Sequence, residues 1–351
     1  MSFIEKKSQY NTLFIGILIA LVTLVIYVST LGVANISFLD SLKIMLERIP
    51  GLGRYFSTEE IPNTHRVIVW QIRLPRIFLA AIVGMGLSVV GATFQGMFKN
   101  PMADPYVIGV SSGAALGATI AIVLGLSRFT GGLGYVNLLA FIGAIVTVTL
   151  VYNIARIGNK VPTITLLLAG IAVSALLSSI ISVLMIFNRD KIESIVFWTM
   201  GSVAAASWKH VFTLLPIVLV GTLLIICYAR DLNLLMVGDD TAKNLGVEVD
   251  KTKRVLLVIS SVIIAFSVSV SGIIGFVGLI IPHAIRMLVG PDHRVLIPFS
   301  ALGGAIFLIL TDTLARTIIA PTEIPVGAVT AIFGSPYFIY LLYKTKKKVI
   351  Q

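Results

Sequence analysis

The chain has 351 residues, of which 57% are hydrophobic and only 12% are Asp, Glu, Lys or Arg, against roughly a quarter charged in an average soluble domain. This excludes a disordered chain and an ordinary soluble enzyme. The net charge of +11 would suit a nucleic-acid binder, but the apolar residues are gathered in long uncharged runs, which is the pattern of a membrane protein.

In chain order, the first apolar run, Leu13–Val33, follows Lys6 and Lys7 and lacks a small-residue cleavage site. It reads as a retained span and not as a signal peptide. The loop from Ala34 to Arg76 comes next; within it Ser37 to Leu46 has apolar residues at helical spacing and predicts a helix lying on the outer face, stopped by Pro50, Gly51 and Gly53. Further spans are predicted at Ile77–Met97, Tyr106–Leu126, Tyr135–Ala155, Thr163–Phe187 and Val211–Ala229. The last four are Val255–Val270, Ile273–Leu288, Leu296–Ala315 and Val326–Tyr343. Ile273–Leu288 is short and glycine-rich, so it and its predecessor could form a bent pair of partial penetration. The single cysteine, Cys227, excludes a disulfide framework and is expected to be a small buried hydrophobe.

The expected fold is all-α: one polytopic membrane domain over residues 1–351 with about ten transmembrane helices, since backbone in lipid must bond internally and no alternating barrel pattern occurs. An even count puts both termini on one side. Lys6, Lys7, Lys344 and Lys346 to Lys348 mark that side as cytoplasmic. The outer loop, with Lys43, Arg48, Arg54, Arg66, Arg73 and Arg76, is the exception to the bias.

The span interiors are nearly free of ionisable groups; Asp312, His283 and Arg286 fall toward span ends and His210 precedes one. No midplane carboxylate for ion coupling is visible, nor a phosphate-cradling G-x-x-x-x-G-K-[ST] loop. There is no paired carboxylate or nucleophile–base set for catalysis, and no selectivity-filter run. If the chain pumps a solute, the energy must come from another subunit. The stripe Gly109, Gly113, Gly117 lets helices approach closely or lines a path, and Gly272, Gly275 and Gly278 invite a break.

Arg73 and Arg76 flank Pro75 where the chain re-enters the membrane, and both are expected to reach the aqueous surface. They suit lipid phosphates or, as planar forks, the carboxylates of a partner. Glu323 is expected to pair with Arg316 in a loop stiffened by Pro321 and Pro325. Arg230–Arg254 is the longest inner polar stretch, either a solvated connector or a short amphipathic helix for a groove in another protein. In it Asp239 or Asp240 can cap the helix and Gly246 can end it. Asn100 before Pro101 and Thr163 after Pro162 are ordinary helix-terminus chemistry. His283 is expected to be a hydrogen-bonded structural residue, and no metal site is expected.

Three stretches carry a more specific signature. They are Trp70 to Arg76; Gln95 to Pro105 with Gly109 to Ala114; and Gly275 to Arg286 with Asp292-His293-Arg294, completed by Asp312 to Arg316 and Glu323 to Gly327. In this order they resemble the permease subunits of ABC importers for iron-siderophores, haem and vitamin B12, over about Trp70 to Tyr343. The first outer loop is longer here than in the vitamin B12 subunits. The resemblance implies a type II importer permease fold in a prokaryotic cytoplasmic membrane. It implies pairing with a second permease subunit, identical or not, and two cytoplasmic ATPases that bind ATP-Mg, with no cofactor in this chain. An extracytoplasmic substrate-binding protein would dock on Arg73, Arg76 and Arg316. The cytoplasmic gate would involve Asn100, Pro101, Met102 and Thr163, and ATPase coupling would use Gly238, Asp239, Asp240, Ala242, Leu245 and Gly246. An iron-siderophore chelate is the expected cargo, with haem or cobalamin as alternatives. The reading from a different class is a carrier or channel that works without an ATPase.

Overall fold

The computed structural model describes residues 3–48, 61–126, 134–158 and 160–350. All its regular elements are helices: α1 (Phe3–Thr30), α2 (Phe38–Glu47), α3 (Asn63–Val67), α4 (Leu74–Met97), α5 (Val110–Val123), α6 (Tyr135–Ala155), α7 (Thr163–Phe187) and α8 (Ile192–Thr199). They continue with α9 (Trp208–Cys227), α10 (Ala229–Val237), α11 (Asp239–Asn244), α12 (Val249–Ser271), α13 (Val277–Val289), α14 (His293–Thr317) and α15 (Val326–Ile350). Among the described residues, seven helical stretches are long and apolar enough to cross a bilayer, and three shorter apolar helices accompany them. Together these match the ten predicted spans one for one.

The centre of the bundle is α4, packed along α14 and α13 and flanked by α12 and α9. Its buried residues run almost without interruption from Leu74 to Met97. The glycine stripe of α5 lies against α6: a side chain at Gly117 would strike the backbone of Leu139, so the close packing of two backbones explains the stripe. The outer helix forms as expected. Ser37 caps α2 by accepting the Asp40 amide at 3.1 Å, and Ser41 meets the Ser29 hydroxyl at 2.6 Å. The stop at Pro50, Gly51 and Gly53 lies outside the described residues.

Two spans are shorter than the sequence predicts. The third begins at Val110 and not at Tyr106, and the eighth at Val277 and not at Ile273. The non-helical segments before them reach the interior of the bundle. Pro105 packs on Gly278 beside the carbonyl of Leu87, and Leu87 lies roughly 20 Å along α4 from Leu74 and about 15 Å from Met97 at 1.5 Å per residue. The segments brace each other there: the Tyr106 hydroxyl donates to the Ile274 carbonyl at 3.1 Å. Non-helical backbone is tolerated at such depth only when enclosed by protein. This corrects the expectation of a membrane interior without a carboxylate, because Asp104 is carried to this depth. It accepts the Tyr106 amide at 2.7 Å and so is committed to its own turn. Cys227 is also corrected: it is exposed at the end of α9, where lipid is as apolar a surrounding as a core.

Candidate functional sites: an outer arginine cluster and an inner coupling segment

On the outer side, Pro75 shapes what precedes it. A proline in a helix cannot donate to the carbonyl four residues back and crowds it; the chain widens into a π-turn over Ile68–Arg73, in which Leu74 N–H bonds the Val69 carbonyl. Arg73 and Arg76 are thereby turned into the protein. They are 5% and 8% exposed, and Arg316 is 9% exposed, which corrects the expectation that the pair reaches open water. Arg73 donates to the carbonyls of Ser29 at 2.7 Å, Thr30 at 3.0 Å and Ala34 at 2.6 Å. Arg316 donates to Leu31 at 2.7 Å and Val28 at 2.8 Å. The two guanidiniums thus clasp the turn between α1 and α2 from both sides, around Gly32, where a side chain would lie 2.8 Å from Arg73 Nη2.

Arg76 makes a different set of bonds. Its Nε lies 2.9 Å and its Nη2 2.9 Å from the Asp312 carboxylate, while Nη1 donates to both oxygens of Glu323 at 2.9 Å. Glu323 therefore pairs with Arg76 and not with Arg316 as expected. Asp312 is almost fully enclosed, whereas the Glu323 side chain is 42% exposed. One fork joins α4, α14 and the loop before α15, with an inner carboxylate sealed in and an outer one accessible.

On the inner side, α10 and α11 form a hairpin with a small core of Leu235, Ala242, Val247 and Val249. Gly238, at φ 156°, makes the corner. Asp239 stands in the first turn of α11 instead of capping it. Gly246 ends the helix as expected: at φ 86° it lets Val247 N–H reach the Ala242 carbonyl and its own N–H reach Lys243. Asp240 is exposed. At the tips of the hairpin Val237 is 70% exposed and Leu245 54%. Asn233 ties α10 to the start of α14, donating to Asp292 at 2.6 Å and accepting the His293 amide at 2.9 Å.

The Asp239 carboxylate receives Lys253 of α12 at 2.7 Å on one oxygen and has Lys99 Nζ at 2.8 Å from the other. Burial acts to raise this carboxyl, but the bond from Lys253 and the contact with Lys99 outweigh it and hold it below the usual carboxylate range. The group is fully charged at neutral pH, and its contribution is lost only as pH falls below the ordinary carboxylate pKa of about 3.9. Lys99 is itself unusual. It follows α4 in the left-handed region, φ 53°, with its N–H on the Gly96 carbonyl and the Asn100 N–H on Gln95. A helix ending of this kind normally has glycine there, and a side chain costs about 1 kcal/mol. The gate candidates adjoin it: Asn100 accepts the Met102 amide at 2.9 Å. Thr163, the first residue of α7, borders a crevice with Phe98, Asp250 and Lys253.

A sequence profile of the FecCD transport family matches residues 13–344. The chain belongs to that family. It is 49% identical over 282 residues to the cobalamin import system permease protein of Halobacterium salinarum, covering 80% of this chain and 75% of that one. It is 43% identical over 283 residues to the hemin transport system permease protein of Yersinia pestis, covering 80% of this chain and 84% of that one. Among solved structures, it superimposes with a TM-score of 0.81 and 32% identity on an inward-facing metal-chelate type ABC transporter, covering 95% of this chain and 99% of that one. As a FecCD-family permease, the chain is a multi-pass membrane protein with the fold of an ABC importer subunit.

Sequence reasoning on this permease missed Asp312 as the partner of Arg76, and assigned no role of their own to Lys99, Lys253, Asn233 and Asp292, although all four lie in stretches it singled out. Asp312 carried a signal, a lone acid four residues before Arg316 near a span end. The lysines carried none, since charged residues flanking spans are common. His283 departs from expectation too: its Nδ1 is buried without a hydrogen-bond partner.

Proposed function

We propose that this permease is one half of the membrane pathway of an ATP-driven importer, standing above two cytoplasmic ATPases that bind ATP-Mg and beneath an extracytoplasmic binding protein that selects the cargo. The observation that carries this reading is the inner hairpin. Val237 and Leu245 are large, apolar and exposed outside the spans, on a unit with its own small core, and such a surface needs a groove in another protein. Gly238 and Gly246 shape the hairpin, Ala242 packs it, and Asp239 and Asp240 give it charge. The pathway closes on the cytoplasmic side at Asn100, Pro101, Met102 and Thr163. Reconstitution in vesicles tests this: uptake is expected only when the ATPase and ATP are present. Uptake driven by a solute gradient with the permease alone would establish the secondary-carrier reading instead.

The cargo is a bulky chelate or macrocycle. A ferric siderophore fits the motif resemblance and the metal-chelate transporter it superimposes on. The relatives named for cobalamin and hemin favour a tetrapyrrole or corrin as the second reading. Competition for uptake among a ferric siderophore, haem and cobalamin separates the two.

Docking of the binding protein on Arg73, Arg76 and Arg316 proceeds by carboxylate exchange at Glu323. Only this acid of the cluster is accessible, so an incoming carboxylate takes its place on Arg76 while Asp312 stays. Arg73 and Arg316 hold the α1–α2 turn that forms the surrounding rim. Glu323→Gln is therefore expected to strengthen docking several-fold at low salt, chiefly through faster association. An unchanged affinity in a binding assay with the purified partner would remove Arg76 from the docking surface.

A further inference from the structure

We infer that Asp239 is a positioning residue that ties the coupling hairpin to both halves of the gate, by holding Lys99 at the end of α4 and Lys253 on α12 with one carboxylate. The inference rests on the reading of α10–α11 as the ATPase seat.

The geometry gives each oxygen of Asp239 a separate task. Oδ1 meets Lys99 at 2.8 Å and Oδ2 meets Lys253 at 2.7 Å. Lys99 immediately precedes Asn100, Pro101 and Met102, and the Asn100 side chain closes on the Met102 amide, so this turn moves with Lys99. Lys253 lies on the wall of the crevice that Thr163 borders. A displacement of α11 therefore pulls on one gate element through α4 and on the other through α12. The bond from Asn233 to Asp292 fixes the middle of α10 to the cap of α14, which makes α10 the anchored arm and α11, beginning at Asp239, the moving one.

The backbone at residue 99 separates this role from simple packing. The left-handed conformation there favours glycine, yet the chain carries lysine, and the Lys99 ammonium is spent on Asp239. Ion pairs as exposed as this one, with both side chains at 37%, add little to stability. Loss of the pair is accordingly felt in transmission and not in folding.

The test uses the full complex of the permease with the ATPase that co-purifies with it, in a Cys227→Ser background. A water-soluble maleimide reports the accessibility of Met102→Cys or Thr163→Cys, with and without a non-hydrolysable ATP analogue. In the parent, nucleotide is expected to change the labelling rate at both sites by about fivefold or more, the scale of a coupling free energy of 1 kcal/mol. Lys99→Gly, which suits the backbone, is expected to abolish the change at Met102→Cys and keep it at Thr163→Cys, with the ATPase still attached. Lys253→Met is expected to do the reverse, and Lys99→Arg to restore the parent response. An undiminished nucleotide response at Met102→Cys in Lys99→Gly overturns the link, as does loss of the ATPase from that variant. Failure of the underlying reading looks different: Val237→Asp with Leu245→Asp would then leave the ATPase attached.

Discussion

Arg76→Ala is expected to destabilise the protein by about 3–5 kcal/mol, the cost of leaving a buried ion-pair partner unmatched. Asp312 lies in α14 at 3% exposure with Arg76 as its hydrogen-bonded partner. Removing the guanidinium strands a carboxylate within the bundle and cuts the only fork that joins α4, α14 and Glu323 among the described residues. Arg76→Lys is expected to recover little, because one ammonium cannot reproduce bonds to two carboxylates. The double variant Arg76→Met with Asp312→Leu is expected to recover most of the loss, since replacing both members by apolar groups removes the desolvation penalty with the attraction. Thermal midpoints of the three variants in detergent check this. If Arg76→Ala melts within about 1 kcal/mol of the parent, as an exposed pair would, the cluster is a surface feature and its role in the fold is refuted.

The difference between Arg76 and Gly246 shows what the sequence makes legible. Gly246 follows a local rule: a short polar helix followed by glycine ends in the left-handed conformation, and every atom needed for that conclusion lies within a few residues. The same holds for Ser37 ahead of α2 and for the apolar runs, seven of which give helices long enough for the bilayer among the described residues. Arg76 depends on Asp312, 236 positions away. Before the fold brings α14 beside α4, an arginine at a membrane boundary is equally suited to water, lipid phosphate or a partner. Of the two non-helical segments, the break at Gly272 and Gly275 was readable, and the one before α5 escaped for another reason. Tyr106, Val107 and Ile108 are as apolar as the helix they precede, and hydropathy does not distinguish an enclosed run of turns from a helix. The punctuation was nevertheless present: Pro101 and Pro105 before one short helix, Gly272 and Gly275 before the other. At the coupling segment the short helix that ends at Gly246 was readable, whereas its pairing with α10 into a hairpin was not. The lysines that grip it were not, because they come from α4 and α12.

Gly91→Ala is expected to destabilise the protein by about 1–3 kcal/mol or more, the range of forced overpacking in a core, while Gly16→Ala is neutral or stabilising by up to about 1 kcal/mol through helix propensity. The same chemical change should thus have opposite signs at two helix interiors. At Gly16, on α1, an added methyl meets nothing within 4 Å. At Gly91 it would overlap the backbone of Gly278, including its carbonyl, and backbone cannot rotate away as a side chain would. The start of α13 would have to move off α4. Pro105 rests on Gly278, and the Tyr106 hydroxyl reaches Ile274 just before it. The displacement would therefore loosen both non-helical segments at once and expose their polar backbone at membrane depth, where each unmet group is costly. Melting midpoints of the two purified variants decide the matter, and the uptake assay should fall with Gly91→Ala alone. Equal behaviour of the two substitutions would mean that α4 and α13 do not cross in backbone contact, and the enclosed junction of the two broken spans would fall with it.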